Sequence, residues 1–279
     1  MRLLAAAVAL AALALAGCDE STSSAGLACT ARAGDHRVGD ALVHVPPRGA
    51  TDRFATLVVA HPAGTDGPAF ARLLRAGRAA DRAHVLLLFP SSRRQGFWQL
   101  NDRAGTTDLD TVRALLDEAT RRFCADPAKV AVAGVSNGGG FSARVACELS
   151  DRVDALVSLA GSYRALDPCR ATRPVSVLEI HGTADRIVPY ATSAPAFVAA
   201  WARRDGCDPH PARATPRPGV TLLTWHGCRA GSVVEHLRLA GTGHGWPRVH
   251  MAQGRDPTGT DVTAELFRFL ASRGIGAAG

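Results

Sequence analysis

Residues 129–140 read KVAVAGVSNGGG. The apolar run Val130 to Ala133 enters Gly134, Val135, Ser136, Asn137 and Gly138, a GxSxG pattern that predicts a buried strand turning sharply into a helix with Ser136 at its tip. Such a turn forces the serine into a strained backbone conformation, and only small flanking residues let strand and helix pass that closely. The surroundings agree with this reading. Asp126-Pro127 upstream is a loop signal, and Phe141, Val145 and Leu149 follow at helical spacing. A phosphate-binding loop is the main rival, but it needs a Gly-Lys-Ser/Thr ending, and the chain's sole lysine, Lys129, precedes the strand.

Working outward, strands are expected at Ala41 to Val45, Thr56 to Ala60, Val85 to Phe89, Ala155 to Ala160, Val175 to Ile180 and Val233 to Leu239. Helices are expected at Pro68 to Ala80, around Val112 to Phe123, after the elbow, from Pro195 to Gly206, and from Val262 to about Gly274. This alternation predicts an α/β fold with a mostly parallel central sheet and helices on both faces. The stretch Arg203 to Val220 reads only as irregular.

The N-terminus has its own logic. The apolar run Leu3 to Ala16 is shorter than the roughly 20 residues that a membrane-spanning helix needs and fits the core of a signal peptide. It ends in Leu15-Ala16-Gly17-Cys18, which resembles a bacterial lipobox, so residues 1–17 are expected to be a lipoprotein-type signal peptide and Cys18 the lipidated residue. Residues 18–35 then serve as a flexible tether, and residues 36–274 as a single catalytic domain. The expected location is extracellular, either anchored to the bacterial membrane through Cys18 or secreted.

Of seven cysteines, six remain beyond Cys18, and in an exported chain they imply three disulfides. Cys207 and Cys228 flank one proline-rich loop and are the most plausible pair; the pairing of Cys29, Cys124, Cys147 and Cys169 stays open. There is no CxxC pair to suggest structural zinc. The formal charge of +7 comes from arginines scattered along the chain, which gives nucleic-acid binding little support.

A serine hydroxyl needs an imidazole base, and the imidazole needs a group that fixes its tautomer. Asp185 lies just beyond the strand Val175 to Ile180, where open α/β sheets assemble their sites, whereas Asp151, Asp154, Asp167, Asp205 and Asp208 read as solvated. Among the histidines that follow, His244 sits in a loop with Gly241, Gly243 and Gly245 after a strand; His210 lies in a proline-rich loop, and His226 and His236 suit structural roles. For a developing oxyanion, the Asn137 N–H is one expected donor. The loop His61-Pro62-Ala63-Gly64 should supply the other, with Ala63 leading and Gly64 the alternative because Pro62 has no N–H. His61 as a metal ligand lacks companions at ligand spacing.

HPAG, DPAKVAVAGVSNGGG, ACELSDRVDALVSLAGS, HGTADRIVPY and GTGHGWP together resemble the polyhydroxybutyrate depolymerase and feruloyl esterase family of secreted α/β-hydrolases, from about Arg37 to Phe269. The resemblance implies the α/β-hydrolase fold, Ser136 as nucleophile, Asp185 as acid, His244 as base, and an oxyanion hole near Ala63 and Asn137. It implies ester hydrolysis through an acyl-enzyme with no metal or organic cofactor. Pro62 departs from the family's usual glycine. With no further substrate-binding module evident, a small or oligomeric ester, either a polyester oligomer or an acylated carbohydrate, is the expected substrate. Trp246 is the one tryptophan expected to contact it. Acyl transfer or peptide cleavage by the same triad, or a non-catalytic binding lipoprotein, are the competing expectations.

Overall fold

The computed structural model describes residues 29, 31–47, 53–94, 96–163, 169–247, 249 and 255–277. The expected signal peptide and Cys18 lie outside the described residues.

Ten strands form one sheet: β1 (Gly34–Val38), β2 (Ala41–Val45), β3 (Phe54–Ala60), β4 (Val85–Phe89), β5 (Ala125–Val135), β6 (Ala155–Leu159), β7 (Ser176–Gly182), β8 (Ala212–Arg217), β9 (Val220–Trp225) and β10 (Val234–Leu239). Their spatial order is β1-β2-β4-β3-β5-β6-β7-β10-β9-β8. The segment from β4 to β10 is parallel throughout, and antiparallel pairs finish both edges. Strands β3, β4, β6 and β7 are buried along their whole length, as expected of parallel strands covered on both faces.

Alternating side chains of these strands feed two cores. On one face Val58, Val132 and Val177 pack with α3 (Thr107–Arg122), α4 (Asn137–Glu148) and α5 (Ala194–Asp205) through Leu116, Phe141 and Trp201. On the other, Leu57, Ala133 and Leu178 meet α1 (Gly67–Leu74), α2 (Gly77–Ala83) and α6 (Val262–Ser272) through Phe70, Ala80 and Phe269. Fully burying one such large apolar side chain contributes about 1.5–3 kcal/mol.

The structure departs from the sequence reading in four places. The helix expected from Pro68 to Ala80 breaks at Arg75, which takes a left-handed φ of 50° and caps α1 by donating its N–H to Ala71 O. The chain restarts at Gly77, where a Cβ would stand 3.1 Å from the His44 ring, so glycine lets α2 begin close against β2. The segment Arg203 to Val220 is not wholly irregular: Pro218-Gly219, with Gly219 at φ 76°, turns the edge strand β8 into β9. The tether expected over residues 18–35 ends sooner, because Gly34 and Asp35 already pair with Val45 and His44. Finally, Asp126 to Lys129 do not break the chain before β5 but bulge within it, since Phe54 opposes Ala125 and Thr56 opposes Val130.

Three disulfides join Cys29 to Cys124, Cys147 to Cys169, and Cys207 to Cys228. The last is the pair expected from sequence, and the first ties the chain ahead of β1 to the residue preceding β5. Each bridge removes freedom from the unfolded chain and contributes about 2–4 kcal/mol.

The close pass of β5 and α4 yields a stability prediction. A Cβ on Gly138 would stand 2.4 Å from both Ala60 O and His61 O. Gly138→Ala must displace the backbone of β3, and thermal unfolding should show a loss of roughly 1–3 kcal/mol, the usual range for overpacking.

Candidate active site

β5 delivers Ser136 at φ 60° and ψ −121°, a conformation that a non-glycine residue holds only when its surroundings enforce it. They do so through backbone bonds. The Ser136 N–H donates to Leu159 O at 2.9 Å, and Ser136 O accepts from the Gly140 N–H at 3.0 Å and the Ser162 N–H at 3.1 Å. Gly134 makes the turn possible, since a Cβ there would lie 2.3 Å from Gly138 O.

The loops after β7 and β10 bring the other two residues to the same end of the sheet. The Thr183 N–H donates to Leu239 O at 2.9 Å, the Ala184 N–H to Thr242 O at 3.0 Å, and the Gly241 N–H to Thr183 Oγ1 at 2.9 Å. Gly182 is needed for this approach, because a Cβ there would stand 2.2 Å from Thr242 O. The structure thereby brings Ser136, Asp185 and His244 together. His244 Nε2 lies 2.9 Å from Ser136 Oγ, and His244 Nδ1 lies 2.7 Å from Asp185 Oδ2. The remaining Asp185 oxygen, Oδ1, accepts the Ile187 and Val188 N–H groups at 2.9 and 2.8 Å. An acceptor-only carboxylate at Nδ1 assigns the proton there, which leaves Nε2 free to accept the serine proton.

Burial alone would raise the Asp185 pKa, but hydrogen bonds from His181, His244 and the Val188 amide outweigh it and hold the carboxyl well below the usual range. Behind it, burial pulls His181 down, and its bonds to Asp185 and Glu179 reverse this and lift it to about 10. Glu179 is likewise raised by burial, but bonds from His181 and His236 bring it below the ordinary carboxylate value.

Of the two expected oxyanion donors in the His61 to Gly64 loop, Gly64 is already engaged: its N–H donates to Gly96 O at 3.0 Å. The N–H groups of Ala63 and Asn137 have no acceptor among the described residues, and Asn137 opens α4, where the first amides lack helical partners. His61 has both ring nitrogens occupied. Its Nε2 accepts the Ser92 N–H at 3.1 Å and its Nδ1–H donates to Pro62 O at 2.8 Å, while burial lowers its pKa and favours the neutral ring. It shapes the loop from within.

Sequence reasoning missed Trp98 as a structural bolt. Its indole Nε1–H donates to His61 O at 2.8 Å and its backbone N–H donates to Asn137 Oδ1 at 2.8 Å, so it joins the loop after β3 to the elbow. The indole also stacks on Phe141 with centroids 4.3 Å apart. Nothing in the local sequence marks this, because all three partners come from other elements.

Two expectations need correction. Trp246, expected to face substrate, is 1% exposed; its Nε1–H donates to Thr263 Oγ1 at 3.2 Å and its ring stands edge-on to Phe70. The chain turns the side chain down between α1 and α6, so it supports the His244 loop from beneath. Asp205, read as solvated, is fully buried near Ser232, and burial raises it to about 6. It lies by the starts of β7 and β10, at the far end of the sheet from Ser136. His210 and His226 are exposed, His236 is buried against Tyr190, and His250 and Asp167 lie outside the described residues.

No family model matches the chain. Among characterised proteins it is similar to a feruloyl esterase B of Piromyces equi, 30% identical over 159 residues, which cover 50% of this chain and 29% of that protein. It is also 27% identical over 151 residues to a bifunctional acetylxylan esterase/xylanase of Neocallimastix patriciarum, covering 51% of this chain and 22% of that protein. Among solved structures, an acetyl xylan esterase from Aspergillus awamori superimposes with a TM-score of 0.61 at 15% identity, covering 82% of this chain and 93% of that one. The chain has the α/β-hydrolase fold and is similar in sequence to feruloyl and acetylxylan esterases. The match spans only 29% and 22% of the length of these two relatives, and neither is named a polyhydroxybutyrate depolymerase. In this α/β-hydrolase fold the Ser136 elbow, the Asp185 loop and the His244 loop all emerge from the carboxyl ends of parallel strands, as the fold requires.

The buried charges predict how stability depends on pH. His181 is raised from 6.5 to about 10 on folding, so its contribution is complete below about pH 6.5 and is lost as pH rises through about 10. Asp185 and Glu179 are depressed, so their contributions are present above about pH 4 and fade on acidification. Melting curves should therefore show a lower Tm at pH 9.5 than at pH 5.5; equal values would contradict a charged His181.

Proposed function

We propose that the chain is a serine carboxylic ester hydrolase that works through an acyl-enzyme. The observation that carries this reading is the unbroken run from Ser136 Oγ through His244 to Asp185, at 2.9 and 2.7 Å, beside two N–H groups without acceptors. Ser136 Oγ attacks the ester carbonyl carbon while its proton passes to His244 Nε2. The carbonyl oxygen becomes an oxyanion, received by the Ala63 and Asn137 N–H groups. Collapse breaks the bond to the alcohol, whose oxygen takes the proton back from His244. Water then attacks the acyl-Ser136 carbonyl, gives its proton to His244, and a second collapse returns that proton to Ser136 and frees the acid. Asp185 stays anionic throughout and stabilises the imidazolium formed at each attack. No metal or organic cofactor enters this sequence.

The relatives' names point to feruloyl esters and to acetylated xylan. We extend this to an acylated carbohydrate as the substrate class, in preference to a polyester oligomer. Three disulfides support a working place outside the reducing cytosol, and the lipobox-like Leu15 to Cys18 supports anchoring to the membrane through Cys18.

Ser136→Ala should keep the wild-type Tm and lose roughly 10⁶-fold in kcat on a short p-nitrophenyl ester. A fluorophosphonate should label wild type at Ser136 and leave the variant unlabelled. Retained turnover in the purified variant would overturn the assignment. In a screen of methyl ferulate, acetylated xylo-oligosaccharides and hydroxybutyrate oligomers, the first two should be cleaved with the higher kcat/KM.

A further inference from the structure

Behind the triad lies a second, wholly buried set of ionisable groups that the proposed reaction does not consume. Glu179 on β7 and His181 two residues later are both fully excluded from solvent. Residues two apart on a strand share a face, which is how His181 Nδ1 reaches Glu179 Oε1 at 2.9 Å. His181 Nε2 lies 2.9 Å from Val188 O and 3.2 Å from Asp185 Oδ2, the same oxygen that takes the His244 Nδ1–H. One carboxylate oxygen therefore serves two histidines, and the second of them rests on another buried carboxylate.

The other groups facing this pair are His236 on β10, Tyr163, Tyr190 and Arg238. His236 Nδ1 lies 2.7 Å from Glu179 Oε2, and the hydroxyl of Tyr163 is 3.1 Å from Glu179 Oε1 and 2.7 Å from Ser158 Oγ. Tyr190 stands edge-on to His181 with centroids 5.8 Å apart and bonds His236 Nε2 at 3.0 Å. Arg238, opposite His181 in the β7–β10 register, lies over the Tyr190 ring at 5.8 Å from the centroid. Burial and Glu179 hold the Tyr163 phenol neutral by raising it well above its usual value.

We propose that His181 is a positioning residue whose buried positive charge, shared between Glu179 and Asp185, sets the pH range over which His244 serves as the base. This rests on the assignment of Ser136, His244 and Asp185 above. The electrostatic reason is simple. Glu179 and Asp185 together place two negative charges behind His244, and two buried anions would favour its protonated form, which cannot accept the serine proton. An imidazolium between them cancels one charge and leaves His244 facing, in effect, a single carboxylate. The ring nitrogens fit that role, because both meet acceptors: a carboxylate on one side, and a carbonyl and a carboxylate on the other. A neutral ring would turn one unprotonated nitrogen toward an acceptor, two lone pairs facing with no proton between them.

His181→Gln keeps a donor near Asp185 and removes the charge. On the short p-nitrophenyl ester, the acidic limb of its kcat/KM profile should move to higher pH by about 1 unit. Activity at pH 6 should then fall close to tenfold, while the alkaline plateau converges on wild type. The double variant with Glu179→Gln removes both charges and should bring the limb back toward the wild-type position. A purely structural role would lower the whole profile without displacing it, and that result would overturn the proposal. A second readout needs no variant and no activity. In histidine-labelled wild type, ¹⁵N spectra should show one solvent-protected ring carrying both N–H protons at pH 8. Its absence would overturn the proposal even if ester hydrolysis is demonstrated. Loss of all turnover in wild type, with that doubly protonated ring still present, would instead sink the esterase reading alone.

Discussion

The contact on which the rest of the structure depends is the pass of α4 over the end of β5, with Ser136 held at φ 60° between them. Gly134 faces Gly138 O, and Gly138 faces Ala60 O and His61 O, each closer than a Cβ would tolerate. That packing sets the height of the serine above the sheet. It also brings the end of β3, and hence the loop bearing Ala63, alongside the first amide of α4. Ser136 and the two N–H groups proposed as oxyanion donors are thus positioned by one backbone crossing and not by side-chain choice.

Asp185 and His244 are held by a different device. Their loops leave β7 and β10, which are parallel neighbours, and backbone bonds between Thr183, Ala184, Leu239 and Thr242 sew them together before any side chain is considered. Asp185 is then fixed by two amides of its own loop, and His244 is supported from below by the buried Trp246. The buried layer of Glu179, His181 and His236 sits under this pair, inside the sheet. Burying so many ionisable groups is costly unless each has a partner, and here each does.

Much of this was legible in the chain. The strands and helices around the elbow could be read because parallel strands are continuous apolar runs and their helices keep a 3.6-residue period. Ser136, Asp185 and His244 could be read because each follows a strand and sits among small residues. Other features were hidden for physical reasons. The break at Arg75 comes just before Gly77 packs close to the His44 ring, a contact between distant segments. Edge strand β8 is largely exposed and carries no apolar alternation, so only its turn could betray it. Trp246 looked like a substrate contact because it neighbours His244 in sequence, yet its side chain belongs to the core.

What the sequence alone determined is the fold class, the elbow and the identity of the three residues that meet there, since those depend on local period, small residues and order along the chain. What only the tertiary structure decided is everything set by contacts across the sheet. It engaged the Gly64 amide with Gly96, made Trp98 the bolt between two loops, paired the four cysteines left open, and placed a buried histidine behind Asp185. A hydrogen bond between residues far apart in the chain leaves no periodicity for a sequence to display.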